Sequence, residues 1–131
     1  MQENLRWGVD QDRADKICCY NRHYAEFSGY AFGTDWFSEI EQLESVTYYD
    51  SVTGLPLFTA PQGRTMSEFL QESRKHGWPS FRDQEVNWDN AVVLGDGETV
   101  SKDGTHLGHN LPDHTGNRYC INLISVSGNP I

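Results

Sequence analysis

The sequence predicts an antiparallel β domain with two short helices on its N-terminal side. Three observations lead there. Helical periodicity stops at Gly77, and beyond Pro79 the apolar residues fall in short β-branched and aromatic runs. Those runs are separated by hairpin-type turn signals, Gly95-Asp96-Gly97 and Lys102-Asp103-Gly104.

Residues 1–16 are polar, carry Asp10, Asp12 and Asp15, and read as an arm rather than core. From Thr34 onward, Trp36, Ile40 and Leu43 recur at i, i+4 and i+7, one face of a short helix with Thr34 and Asp35 as caps. Val46-Thr47-Tyr48-Tyr49 has strand composition. Thr53-Gly54-Leu55-Pro56 is turn chemistry, and Leu57-Phe58-Thr59 follows as another short strand. Thr65-Met66-Ser67-Glu68 has capping-box spacing; Met66, Phe69, Leu70 and Ser73 then line one face of a second helix that should end by Gly77. Glu85-Val86-Asn87-Trp88, Ala91-Val92-Val93-Leu94 and residues 118–126 read as strands. A β core of this kind carries its chemistry on strand ends and loop tips.

With 131 residues, the chain fits one domain. Ten Lys and Arg against nineteen Asp and Glu leave a net charge of −9, and Arg74-Lys75 is the one adjacent basic pair. That balance argues against a nucleic-acid partner, which would need clustered cations. No stretch approaches the roughly 18 unbroken apolar residues of a membrane span, so no membrane partner is expected. Met1 to Arg6 lacks the basic-then-apolar layout of a secretory signal. A cytoplasmic location is therefore expected, or an organelle if a targeting segment is missing from this chain. Three cysteines, Cys18, Cys19 and Cys120, are too few for a disulfide framework or a four-cysteine zinc clasp, and no Cys-x-x-Cys occurs. They are either buried small hydrophobes or reactive thiols.

The C-terminal half gathers unusual residues in a short window: His106-Leu107-Gly108-His109, then Asp113 and His114, then Arg118-Tyr119-Cys120-Ile121-Asn122. On a strand, Arg118, Cys120 and Asn122 share one face while Tyr119 and Ile121 pack the other. A thiol with an ordinary pKa of about 8.5 is expected to gain thiolate character beside the fixed charge of Arg118, and protonated histidines would add to that. His106 and His109 can also be polar residues around a glycine turn, or two metal ligands with Cys120 and His114 completing the set. Metal and acid/base roles stand level on the residues alone. His76-Gly77-Trp78-Pro79-Ser80-Phe81 reads either as a rigid loop with an aromatic face for a small apolar group or as ordinary core aromatics.

Three of these segments, Gly77-Trp78-Pro79-Ser80-Phe81, His106-Leu107-Gly108-His109 and Arg118-Tyr119-Cys120-Ile121-Asn122, resemble the signature motifs of the methionine-R-sulfoxide reductases of the B type (MsrB). Tyr49 with Thr53-Gly54-Leu55-Pro56-Leu57-Phe58 is similar to a further family segment, and Glu26-Phe27-Ser28-Gly29-Tyr30 resembles the family's N-terminal stretch more loosely. The likeness runs over about residues 26–126. Residues 1–25, which it does not explain, are expected to be an arm carrying Cys18 and Cys19, ahead of a catalytic domain of residues 26–131. The implied fold is mainly β: two antiparallel sheets of the β-tent kind with two or three short peripheral helices toward the N-terminus.

The resemblance also implies roles. Cys120 would attack the sulfoxide sulfur and be left as sulfenic acid. His106, His109, Asp113, Arg118 and Asn122 would complete the active site, with an imidazole assisting proton transfer. Trp78 would form the wall against the substrate methyl group, with Phe81 near it. Oxidised methionine, free or in a protein, would be the substrate of a monomeric enzyme with no bound cofactor. A thioredoxin-like protein or other dithiol would be the external reductant.

Two departures from the family pattern stand out. Many members carry a resolving Cys at the position of His76; here Cys18, Cys19 or an external thiol would have to serve. Zinc-bearing members hold the ion with Cys-x-x-Cys pairs where this chain has Asp50 and Thr53, then Val100 and Asp103, so no structural zinc is expected. With the usual resolving Cys replaced, a non-catalytic β module that binds a small polar or oxidised ligand is the alternative.

Overall fold

The computed structural model describes residues 1–20 and 28–130, apart from the side chains of Cys19 and Tyr20. The described strands form two antiparallel sheets, as the resemblance implies. β1 (Val46–Tyr49) and β2 (Pro56–Ala60) make a hairpin. β3 (Ser80–Phe81), β4 (Ala91–Val93), β5 (Glu98–Ser101), β6 (His106–Asn110) and β7 (Tyr119–Ile121) form a five-stranded sheet in the order β3-β7-β6-β5-β4. Short helices lie toward the N-terminus: α1 (Gln11–Asp15), α2 (Trp36–Ile40) and α3 (Met66–His76). Among the described residues no helix is long and apolar enough to cross a membrane.

Alternation along the strands sends large aromatics into the space between the sheets. Phe58 of β2 and Phe81 of β3 stack at 4.3 Å with an interplanar angle of 7°, joining the hairpin to the large sheet. Tyr48 meets Phe81 edge-on at 5.1 Å and accepts a hydrogen bond from the Trp36 indole at 3.0 Å. Phe69 of α3 closes the cluster from the side. Arrangements of this kind add about 0.5–1.5 kcal/mol per pair to the area buried.

Helix α3 follows its sequence signals. The Thr65 side chain accepts from the Glu68 amide at 3.1 Å, and the Glu68 carboxylate accepts from the Thr65 amide at 2.9 Å. Met66, Phe69, Leu70 and Ser73 are its buried face. Gly77 ends it at φ 84°, where a Cβ would stand 2.0 Å from the Ser28 hydroxyl, so both conformation and space require glycine. Thr65→Ala should lower stability by about 1 kcal/mol in urea unfolding. An unchanged midpoint would mean that the cap contributes nothing beyond solvation.

Four readings are corrected. Helix α2 ends at Ile40, so Leu43 lies beyond it, half exposed. Residues 85–88 are not a strand: a 3-10 turn over Asp83–Glu85 draws Glu85 inward, where its carboxylate accepts from the Arg82 amide at 2.8 Å. The strand expected over 118–126 stops at Ile121 and passes into a 3-10 turn, Leu123–Val126, in which the Ser125 amide donates back to the Asn122 carbonyl at 3.0 Å. The polar N-terminal segment is laid on the domain, burying Trp7, Ala14, Ile17 and Cys18. Its isolated apolar residues have no periodic neighbours to announce them.

Around Asp50 and in the turn that follows Ser101, side-chain hydrogen bonds hold the loops. Buried Asp50 accepts from the Val52 amide at 2.8 Å and from the Thr105 hydroxyl at 3.0 Å. The Ser101 hydroxyl accepts from the amides of Asp103 and Thr105.

Candidate active site

Strand register assembles the site. Cys120, central in β7, lies directly opposite Ser80 of β3 on one side and His109 of β6 on the other; His109 in turn lies opposite Glu98 of β5. Opposite residues in antiparallel pairs share a face, so Ser80, Cys120, His109 and Glu98 make a polar row across four strands. Phe81 and Tyr119, one residue along, point the other way into the core. Close approach of β6 to β7 demands Gly108: a Cβ there would meet the Cys120 carbonyl oxygen at 2.1 Å.

Two residues apart on the same strand face, Arg118 Nη1 donates to Cys120 Sγ at 2.6 Å, and both side chains are buried. The sequence predicts a lowered thiol pKa here. Burial instead pushes the Cys120 thiol up, and the Arg118 guanidinium offsets only part of that. Alkylation of the Cys120 peptide by iodoacetamide, followed by mass spectrometry, should therefore reach half its maximal rate at a higher pH than for an exposed thiol. A lower midpoint would show that the guanidinium outweighs burial.

Along a regular strand His106 and His109 would face opposite sides. The register shift in the β5–β6 pairing sets Val100 opposite His106 and re-aims that residue. The result brings both histidines to Glu98: it lies opposite His109, and its buried carboxylate is 3.2 Å from His106 Nδ1. His106 is buried, whereas His109 is exposed and has Nε2 3.2 Å from the Asp96 carbonyl.

Asp113 sits at the start of a chain of ion pairs. Its carboxylate is 4.0 Å from Arg118 Nε and accepts from Arg82 at 2.9 and 3.1 Å. Arg82 also pairs with Glu72 of α3; Glu72 pairs with Arg64 at 2.9 Å, and Arg64 with buried Glu85 at 2.7 Å. Arg82 and the Thr115 groups together hold the Asp113 carboxyl far below its usual range. The thiol's neighbour Arg118 is thus tied through alternating charges to α3 and the turn at Glu85. Beside this chain lies a polar cavity of about 640 Å³, its lining including His76, Arg82, Asp113, His114 and Asn117.

The remaining predicted residues fall in different places. Asn122 donates its side-chain amide to the Leu107 carbonyl at 2.9 Å, fixing β7 to the backbone beside His106. Trp78 is half-buried. Phe81 has no exposed surface, and its ring stacks on Phe58 in the core. Buried Cys18 packs with Ala14, Ile17 and Ile124 and donates its thiol to the Ser125 hydroxyl at 3.6 Å. It sits on the π-helical turn Lys16–Tyr20, which packs against β6. The Cys19 side chain, Glu26 and Phe27 lie outside the described residues. Among the described residues no three His, Cys, Asp or Glu side chains gather as a metal site would need.

Sequence reasoning did not single out Ser80, Arg82, Glu72 or Glu98 for the site. Ser80 and Arg82 carried a signal, since period two sets them on one strand face. Glu98 and Glu72 carried none, because only register and helix docking bring them in.

Comparison with curated proteins finds the peptide methionine sulfoxide reductase MsrB of Methanosarcina mazei, 34% identical over 89 residues. The aligned stretch covers 60% of this chain and 64% of that protein, so the chain spans less than two thirds of the relative it matches. No family model and no solved structure matches the chain.

Proposed function

We propose that this chain reduces methionine-R-sulfoxide to methionine, with Cys120 as the nucleophile. The observation that carries the reading is the 2.6 Å contact of Arg118 with the Cys120 sulfur, directly across the ladder from His109. The likeness to a methionine sulfoxide reductase supports it.

Sγ attacks the sulfoxide sulfur, the oxygen passes to Cys120, and the thioether leaves. The sulfoxide sulfur gains two electrons and the cysteine sulfur loses two. The oxygen requires one proton, and the resting thiol carries it, so a thiol kept protonated by burial already holds the full stoichiometry. His109 or His106 relays that proton to the oxygen as the S–O bond breaks. Arg118 supports negative charge on sulfur during attack, Asp113 positions Arg118, and Trp78 holds the methyl group. A second thiol, from Cys18, Cys19 or a thioredoxin-like dithiol, then attacks the sulfenic acid to give a disulfide and water. The substrate is methionine-R-sulfoxide, free or in a protein. We further propose that the Asp50–Thr105 hydrogen bonds replace a structural zinc, and that the chain acts as a cytoplasmic monomer without a nucleic-acid partner.

Mass spectrometry after incubation with excess methionine-R-sulfoxide, with the S-epimer as control, tests the proposal. Free methionine from the R-epimer and oxidised Cys120 are expected. The raised thiol pKa favours one alternative, a β module that binds an oxidised ligand without turnover. That reading prevails if folded protein with reduced Cys120 consumes neither epimer.

A further inference from the structure

Ser80 is the unexplained member of the polar row. Its side chain is fully buried, and its hydroxyl has no hydrogen-bond partner among the described residues. Buried polar groups are almost always satisfied, and one left without a partner is destabilising. The backbone around it is held on both sides. The Ser80 amide donates to the Ser73 hydroxyl at 3.1 Å, and its carbonyl accepts from Arg64 at 2.9 Å. Only rotation of the side chain remains.

The pairing geometry decides what that rotation can reach. The Ile121 amide donates to the Pro79 carbonyl at 3.0 Å, which makes Ser80 and Cys120 a pair of the non-hydrogen-bonded kind. In such pairs the Cα atoms are about 4.5 Å apart and the side chains are at their closest. The side chain set across the pair from the unpartnered hydroxyl is that of Cys120, and oxidation of its sulfur adds an oxygen, the one atom there that a hydroxyl can bond well.

We propose that Ser80 is a further catalytic residue, whose hydroxyl takes the oxygen acquired by Cys120 as its hydrogen-bond partner and so holds the sulfenic acid until a thiol resolves it. The proposal rests on Cys120 being the oxidised thiol, but not on methionine sulfoxide being the oxidant. Hydrogen peroxide makes the same species: the thiolate attacks one oxygen, the O–O bond breaks, and the departing hydroxide takes up a proton to become water.

The test compares wild type with Ser80→Ala, and with Ser80→Gly should the alanine variant not fold. Each is oxidised with one equivalent of peroxide and, separately, with methionine-R-sulfoxide; dimedone is added after increasing delays and the Cys120 adduct is measured. Loss of one hydrogen bond predicts a sulfenic acid lifetime about tenfold shorter. The unfolding temperature should be unchanged or raised, since an unsatisfied buried group is removed, and a packing role would lower it. An unchanged lifetime in a folded variant overturns the proposal, as does failure of both variants to fold, which would make the hydroxyl structural. A shortened lifetime with peroxide, alongside no reaction of wild type with the sulfoxide, would retain Ser80's role and reject the reductase reading. No adduct in wild type with either oxidant overturns both.

Discussion

Cys120→Ser should fold like the wild type and lose turnover of methionine-R-sulfoxide by about 10⁴-fold or more, as expected when the nucleophile of a group acting as a unit is removed. A serine hydroxyl cannot become an anion at neutral pH, and its oxygen cannot accept the sulfoxide oxygen and two-electron oxidation as sulfur does. The fold should tolerate the change, because the hydroxyl is smaller than the thiol and can accept from Arg118 where Sγ does now. A stability change of about 1 kcal/mol is the scale of one such hydrogen bond. The checks are methionine release with dithiothreitol as reductant and thermal unfolding of the same sample. Turnover within tenfold of wild type would move the chemistry off this residue. Cys18 and Cys19 are the other thiols in the chain, and Cys18 is engaged with Ser125 inside an apolar cluster.

Local physics was legible in the sequence, and tertiary physics was not. Helix α3 could be read from Thr65 to Gly77 because capping, amphipathic spacing and the left-handed stop are all set by near neighbours. The two faces of β7 were legible for the same reason, as alternation sends Tyr119 and Ile121 into the core and leaves Cys120 opposite them. The placement of Phe81 followed from that same alternation. Register lies beyond local rules. Nothing near Ser80 or Glu98 in the chain says that they will line up with Cys120 and His109. The register shift that turns His106 toward Glu98 has no composition of its own. The direction of the Cys120 shift was missed because Arg118 is a neighbour in sequence, whereas burial is supplied by the whole fold.

Arg64→Met should destabilise the protein by about 3–5 kcal/mol, the cost of leaving a buried charge without its partner. Glu85 is fully buried, and Arg64 gives it two hydrogen bonds, from Nε at 3.0 Å and Nη2 at 2.7 Å. Methionine keeps the apolar stem and removes the charge, so the loss reports electrostatics more than packing. The amides of Gln62 and Arg82 would still reach the Glu85 carboxylate, at 3.1 and 2.8 Å, but they bring no charge to neutralise it. Arg64 also bonds Glu72 and the Ser80 carbonyl, so its loss loosens two supports of the thiol together: the ion-pair chain through Arg82 and Asp113 to Arg118, and the strand that faces Cys120. Turnover by the folded fraction should therefore fall as well. A double-mutant cycle with Glu85→Gln separates the two effects. The paired variant should recover much of the lost stability, because no uncompensated carboxylate remains. It should not recover the rate, because Glu72 and Ser80 still lack their guanidinium. A loss below about 1 kcal/mol in urea unfolding of Arg64→Met would mark the cluster as a solvated surface pair and remove the basis for treating it as a support of the site.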